Sequence, residues 1–363
     1  MPIKFLDGDF HSYNKGQPVG KPKPSYGTFP TVVELSNGWV ARVSVPLPDK
    51  IRLAIDVSDE IYSSGFGGLS VASWVKQTGD HLKGEPCNSQ HLNNAYNPAW
   101  EYPYRFVEMG LGKREAMVRF EFRRPTKQSP PRLWITTNPR KLGPEGFKTL
   151  VAMLSNAEGP FAIKPLLQSA KVTMLDVAVD IVGLQTSDLV IFHPYVGKRQ
   201  HYVGADDVLE TIYLHRKPFK SKPAGNAFVK VYDRRRERIA AGKNAPHGAT
   251  EVTRVEVTSR RKHPYNAFSK LLDFSDPFKG LKVGFVCDQN PISRDWLSYH
   301  ALTRTMKPEK AAQMLGLTPV QQQSFDEALQ VTSNPLVAGK LSWAGWSEGV
   351  QKTGLMQLLL AAA

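Results

Sequence analysis

Residues Met174–Val182 read MLDVAVDIV, an apolar run carrying two aspartates four positions apart. A β-strand places alternate side chains on opposite faces, so Met174, Asp176, Ala178 and Asp180 share one face while Leu175, Val177 and Val179 share the other. One strand thus projects two carboxylates from the same side. Downstream, Thr253–Arg261 reads TRVEVTSRR, and the same alternation sets Arg254, Glu256 and Thr258 against Val255 and Val257. If these two strands are neighbours, Asp176, Asp180 and Glu256 converge. Three hard oxygen donors suit Mg²⁺ or Mn²⁺, which polarises a phosphoryl oxygen and offsets charge during displacement at phosphorus. The other reading of the same acids is that each pairs with a nearby arginine on a sheet face.

Working outward, strand signals surround this stretch. Thr31–Leu47 (TVVELSNGWVARVSVPL) alternates on both sides of Asn37-Gly38, a dipeptide that fits a tight hairpin turn. Ala116–Arg123 (AMVRFEFR) and Arg132–Thr137 (RLWITT) alternate β-branched or aromatic residues with polar ones. Pro144 suits the first position of a helix, with Glu145 in its first turn and Phe147, Leu150, Val151 and Leu154 at helical spacing. Asn156 and Gly159 would end it. Strand, strand, helix, then a strand from about Lys171 implies an α+β fold, with a helix packed on a largely antiparallel sheet.

Between the two acidic strands lie Tyr213, in ETIYLHRK, and Tyr232, in FVKVYDRRRERIAAGK. Both end short strand-like runs. Tyr232 shares a face with Lys230 and Phe228, and the DRRRER that follows can start a helix, which puts the phenol at a strand-to-helix junction. Cations beside a tyrosine stabilise its phenolate, the form a phenolic nucleophile uses. Most tyrosines in half-buried strands are packing residues. From Arg216 to Lys243 there are ten Lys and Arg against two acids, Asp233 and Glu237, whereas a solvated helix face usually alternates signs. Tyr195, His201, Tyr202, Phe219 and Phe228 are interleaved with them. Cations along a phosphate backbone, with rings on which unpaired bases stack, make a single-strand DNA groove.

The whole composition agrees with a polyanionic partner. The chain has 363 residues, 47 Lys and Arg against 33 Asp and Glu, and a formal charge of +14, which favours nucleic acid. At 41 % apolar residues it has material for roughly two or three cores. Cys87 and Cys287 stand 200 residues apart with no second Cys at metal-ligand spacing, which excludes a disulfide scaffold and a zinc finger. Gly65-Phe66-Gly67-Gly68 is only a Gly-rich turn, and GQPVGKP at 16–22 lacks the spacing and hydroxyl of a phosphate-binding loop. No HExxH or paired-histidine motif occurs. With no apolar leader at MPIKFLDGDF and no apolar run near the ~20 residues of a membrane span, we expect a cytosolic protein with no membrane partner.

Four regions are expected. Residues 1–28, rich in Gly, Pro, Lys and Ser, read as a flexible basic arm, 29–165 as an N-terminal α+β region, 166–290 as the core carrying the chemistry, and 291–363 as a helical C-terminal region. Within the last, KPEKAAQMLGLTPVQQQSFDEALQ reads as one or two short helices broken around Gly316 and Pro319. That pattern fits a DNA-binding helix-turn-helix as well as a plain helical hairpin.

The order of motifs, MLDVAVDIV, TIYLHR, VKVYDRRRE and TRVEV, resembles the series Asp-strand, T-x-Y-x-G, R-x-Y-D/E-K and R-x-E of rolling-circle replication initiators. These are the initiators of small plasmids and filamentous phages, of the transesterifying type without a His-rich metal motif. The resemblance covers about residues 110–262, with NPRKL at 138–142 and its following helix included. It implies an acidic Mg²⁺ or Mn²⁺ site at Asp176, Asp180 and Glu256, a nicking tyrosine at Tyr232 with Tyr213 as the alternative, and DNA contacts from Lys230, Arg234, Arg235, Arg236, Arg254, Arg216 and Lys217. His215 stands where relatives have Gly.

The activity it implies is nicking of an origin plus strand, single-stranded or extruded as a hairpin, giving a 5′-phosphotyrosine and a free 3′-OH that a host polymerase extends with a host helicase as helper. A homodimer in the cytoplasm of a bacterial host is compatible with that activity. Three rival readings are a relaxase of a mobile element with the same chemistry, a metal-dependent nuclease using water, and a DNA-binding protein without catalysis.

Overall fold

The computed structural model describes residues 31–34, 40–57, 90–93, 105–110, 117–123, 132–155, 164–193, 196–205, 208–216, 228–260, 266–285, 298–299, 302–303, 306–330 and 343–362. The basic arm at 1–28, the turn Asn37-Gly38, Lys217, and the aromatic positions Tyr195 and Phe219 lie outside them. The fold is α+β, a large antiparallel sheet with packed helices. The strands are β1 (Thr31–Glu34), β2 (Val40–Val43), β3 (Leu47–Asp56), β4 (Gln90–Asn93), β5 (Arg105–Gly110), β6 (Met117–Arg123), β7 (Arg132–Thr137), β8 (Lys171–Val182), β9 (Leu189–Phe192), β10 (Val196–Val203), β11 (Leu209–Arg216), β12 (Val229–Asp233), β13 (Val252–Arg260) and β14 (Lys282–Phe285). The α-helices are α1 (Pro139–Ser155), α2 (Arg234–Ala240), α3 (Pro308–Met314), α4 (Pro319–Gln330), α5 (Trp346–Lys352) and α6 (Leu355–Ala362).

The chain divides into two compact units, each assembled from separate segments. One comprises 1–46, 178–258 and 276–345; the other comprises 47–177, 259–275 and 346–363. The expected regions 29–165 and 166–290 each contribute to both.

In the first unit the strand order is β10-β11-β12-β13-β8, with the end of β8 also joined to the β1–β2 hairpin. That hairpin forms as its alternation predicts, Thr31 opposite Val43 and Glu34 opposite Val40. Val179, Val229, Val231, Val255 and Val257 are buried, and their removal from water is the main stabilising term for such a layer. Gly183 follows β8 at φ 96°, where a Cβ would stand 2.6 Å from the Val40 carbonyl oxygen. Only glycine meets both demands there. β9 and β14 form a separate antiparallel ribbon. The helices α3 and α4 are divided at Gly316 (φ 64°) as the sequence predicts. They close on Tyr299, Ala311 and Ala312, with Leu315, Leu317 and Phe325 packed around them.

In the second unit the order is β8-β3-β7-β6-β5-β4, and β6 and β7 match their predicted spans closely. β3 was not foreseen: Pro48, Asp49 and Lys50 interrupt its alternation, yet Ile51, Leu53 and Ile55 are fully buried. Within α1 a short helical turn from Pro139 ends at the non-helical Gly143 (φ 68°, ψ 175°), and the longer helix starts afresh at Pro144, as expected. Phe147, Leu150 and Leu154 bury its predicted apolar stripe. At the end of β3, Asp56 binds both Arg132 (2.6 Å) and Lys171 (3.1 Å).

Candidate active site on the basic sheet face

The register of the first unit decides which predicted residues meet. Directly opposed residues of antiparallel strands share a face. One row runs Gln200–Tyr213–Lys230–Glu256, and the adjacent row runs Tyr202–Thr211–Tyr232–Arg254. Both tyrosine candidates, the acid Glu256, Lys230 and Arg254 therefore lie on one face of β10–β13. The alternation that put Asp176 and Asp180 together, and Arg254 and Glu256 together, reads this face correctly.

Asp180 completes the second row on β8. Its Oδ1 accepts from Arg254 Nε at 2.7 Å and its Oδ2 from Arg254 Nη2 at 2.9 Å, a two-pronged fit of guanidinium to carboxylate. Nε2 of His247 donates to the same Oδ2 at 2.9 Å. Both Asp180 and Arg254 are only 1 % exposed. The backbone holds Asp180 as well, since its N–H donates to Ser44 Oγ and its carbonyl accepts from Ser44 N–H, each at 2.9 Å. His247 reaches inward from the Pro246–Gly248 turn at φ 56°, a left-handed conformation that non-glycine residues seldom take. Sequence periodicity could not find His247, which sits in a turn between two regular elements.

In the first row, Lys230 Nζ lies 2.6 Å from Glu256 Oε1, and Glu256 is 6 % exposed. Asp176 on β8 is likewise buried. Among the described residues, no group of three His, Cys, Asp or Glu side chains is placed to hold a metal ion. The donor set itself explains this: both oxygens of Asp180 already serve cationic or N–H donors, and Glu256 serves an ammonium. With their oxygens engaged in this way, Asp180 and Glu256 as arranged here do not fit a shared Mg²⁺ or Mn²⁺. The pairing of acids with basic side chains is the arrangement found for Asp180 and Glu256, buried rather than on a solvated face.

Tyr232 is half-buried at the penultimate position of β12. Asp233 then caps α2 by accepting from Arg236 N–H at 2.9 Å, a side-chain acceptor that satisfies one of the first-turn donors. The strand-to-helix junction expected at this tyrosine is present. In α2, Arg234 pairs with Glu237, and Arg236 bridges Glu210 (2.9 Å) and Asp233 (3.2 Å). Arg235 lies between them, half-exposed. Of the cations expected to touch DNA, Arg254 does not present its guanidinium at the surface, because it is consumed in the buried fork with Asp180. Arg216 closes β11 opposite Val196.

Tyr213 is half-buried like Tyr232 but lies within β11, where it meets the Tyr202 ring edge-on, centroids 5.4 Å apart at 85°. His215, two residues on, is 2.7 Å from Gln200 Oε1 through its Nε2. The candidate stacking rings also separate. Phe228 is buried edge-on against His193 at 4.9 Å, and His201 alternates to the face opposite Tyr202.

No protein-family model matches the chain, and no curated protein matches it. Among solved structures, the chain is similar to a rolling circle replication initiator protein from Geobacillus stearothermophilus, at 12 % identity over 72 % of this chain and 97 % of that one, with a TM-score of 0.30.

Proposed function

We propose that this chain nicks single-stranded DNA by tyrosine transesterification to initiate rolling-circle replication, with Tyr232 as the nucleophile. The observation that carries the reading is the placement of Tyr232: a half-buried phenol at a strand-to-helix junction, on the face that bears Lys230, and directly ahead of the Arg234–Arg238 basic helix. Tyr213 lies within β11, away from any strand-to-helix junction, and meets a second ring, which makes it the weaker candidate.

In the reaction, the Tyr232 phenolic oxygen attacks the scissile phosphorus. The P–O3′ bond breaks, the phosphate becomes a 5′-phosphotyrosine ester, and the phenol's proton is balanced by the proton gained at the departing 3′-oxygen. Because the phosphotyrosine ester conserves the energy of the broken phosphodiester, attack by a 3′-OH expels the phenol and reseals the strand without a nucleotide cofactor. In-line attack needs the phosphate held at the ring oxygen, a task for the cations of β12 and α2. Origin DNA is the partner of this reading, with a polymerase to extend the 3′-OH and a helicase to open the duplex.

One observation favours a second reading, a DNA-binding protein without catalysis. Asp180 and Glu256 are each neutralised by basic partners, so their carboxylates do not repel phosphate and need no catalytic explanation. The two readings separate on incubating the protein with 5′- or 3′-labelled oligonucleotides from its replicon's origin, with and without Mn²⁺, followed by denaturing gels. Nicking predicts a covalent adduct with the 3′-side fragment that Tyr232→Phe abolishes and Tyr213→Phe retains. Binding without cleavage supports the second reading, and cleavage without an adduct supports a hydrolytic nuclease.

A further inference from the structure

We infer that Tyr202 is a stacking platform for an unpaired base of the strand whose phosphate is presented to Tyr232. The inference rests on the nicking reading for its partner and adds a binding residue to it. Tyr202 belongs to β10, the last strand of its sheet, and is 53 % exposed. It stands opposite Thr211, which stands opposite Tyr232. The two tyrosines are therefore on one face, two strand spacings or about 10 Å apart.

The Tyr202 ring is propped rather than packed away. Its contact with Tyr213 is edge-to-face at 85°, and in either sense of that contact at least one π-face of Tyr202 remains uncovered by Tyr213. An exposed ring held upright at a sheet edge is the geometry on which a base can lie flat, and such stacking tolerates any base. The occupant is set by charge. The chain's +14 excess and the Arg234–Arg238 helix that continues from Tyr232's own strand favour a polyanion over an apolar or basic protein segment. Phe228 is buried and His201 faces the other way, so among the described aromatics that the sequence interleaves with cations, Tyr202 is the one offered on this face.

The test uses the full chain carrying Tyr232→Phe, so that binding is read without cleavage. The probe is a fluorescein-labelled oligo-dT strand, and a matched strand with one 2-aminopurine reports stacking through quenching. Tyr202→Leu is expected to weaken strand binding by about five- to 150-fold, the effect of losing one base–aromatic stack, and to remove the quench. Tyr202→Phe and Tyr202→Trp are expected to restore both, which a loss of fold would not allow. Unchanged affinity and quenching in Tyr202→Leu overturns the inference. Equal losses for a duplex of the same length also overturn it, since a duplex offers no unpaired base. A strand that binds with this Tyr202 dependence while wild type forms no adduct supports the platform and removes the nicking reading alone. No strand binding at low salt overturns both.

Discussion

Asp180 and Arg254 form a closed fork, two hydrogen bonds of 2.7 and 2.9 Å between side chains that are both 1 % exposed and 74 residues apart in sequence. The pair joins β8 to β13 in the same row and on the same face as Tyr232. A buried ion pair adds little over an apolar replacement, but breaking it strands a charge in a low dielectric.

Asp180→Ala is therefore expected to lower stability by about 3–5 kcal/mol, measured by urea denaturation. His247→Ala removes only one N–H donor from the same carboxylate and is expected to cost less, about 1–3 kcal/mol. A smaller loss in Asp180→Ala than in His247→Ala would contradict the fork as the main support of this carboxylate.

Gly183→Ala tests the turn after β8. At φ 96° the new Cβ would meet the Val40 carbonyl oxygen at 2.6 Å, so backbone strain and collision add. The expected loss exceeds about 1–2 kcal/mol, the strain of a left-handed residue alone. Thermal unfolding of the variant reads it, and a melting temperature equal to wild type would refute the close approach.

Two aspartates give opposite responses to pH. Burial works against ionisation of Asp56, but hydrogen bonds from Arg132 and Lys171 outweigh it and hold the carboxyl below its ordinary value of 3.8. Its contribution is complete above 3.8 and is lost as pH falls through the lower folded value. Burial raises Asp276 above 3.8 against the opposing hydrogen bond from Phe278 N–H. Its contribution is complete below 3.8 and is lost as pH rises through the higher folded value. Denaturation of Asp56→Asn across this range is expected to show a deficit against wild type that shrinks on acidification. Asp276→Asn, which keeps an acceptor for Phe278, is expected to gain on wild type as pH rises.

The same physics explains what could be read in advance. Period-two alternation is local, so it places Asp180, Arg254, Glu256, Lys230 and Tyr232 with respect to their own strands, and the β1–β2 pairing and the Gly316 break are equally local. Which acid meets which base depends on strand order and register, set by contacts far apart in the chain. Hence the sequence groups Asp176, Asp180 and Glu256 by face, whereas the structure gives Asp180 to Arg254 and Glu256 to Lys230. His247 acts from a turn with no periodic signal, and β3 is hidden by Pro48, Asp49 and Lys50. Sorting Tyr202 from Phe228 and His201 needed burial, which an alternation of aromatic and basic residues does not encode.

The most direct test of the account is to identify the residue that becomes covalently joined to DNA. Wild-type protein incubated with a single-stranded origin oligonucleotide, digested with nuclease and protease and analysed by mass spectrometry, is predicted to yield a nucleotide-modified peptide containing Tyr232, absent from Tyr232→Phe. Modification at Tyr213 instead, or cleaved DNA with no modified peptide, would contradict Tyr232 as the nucleophile.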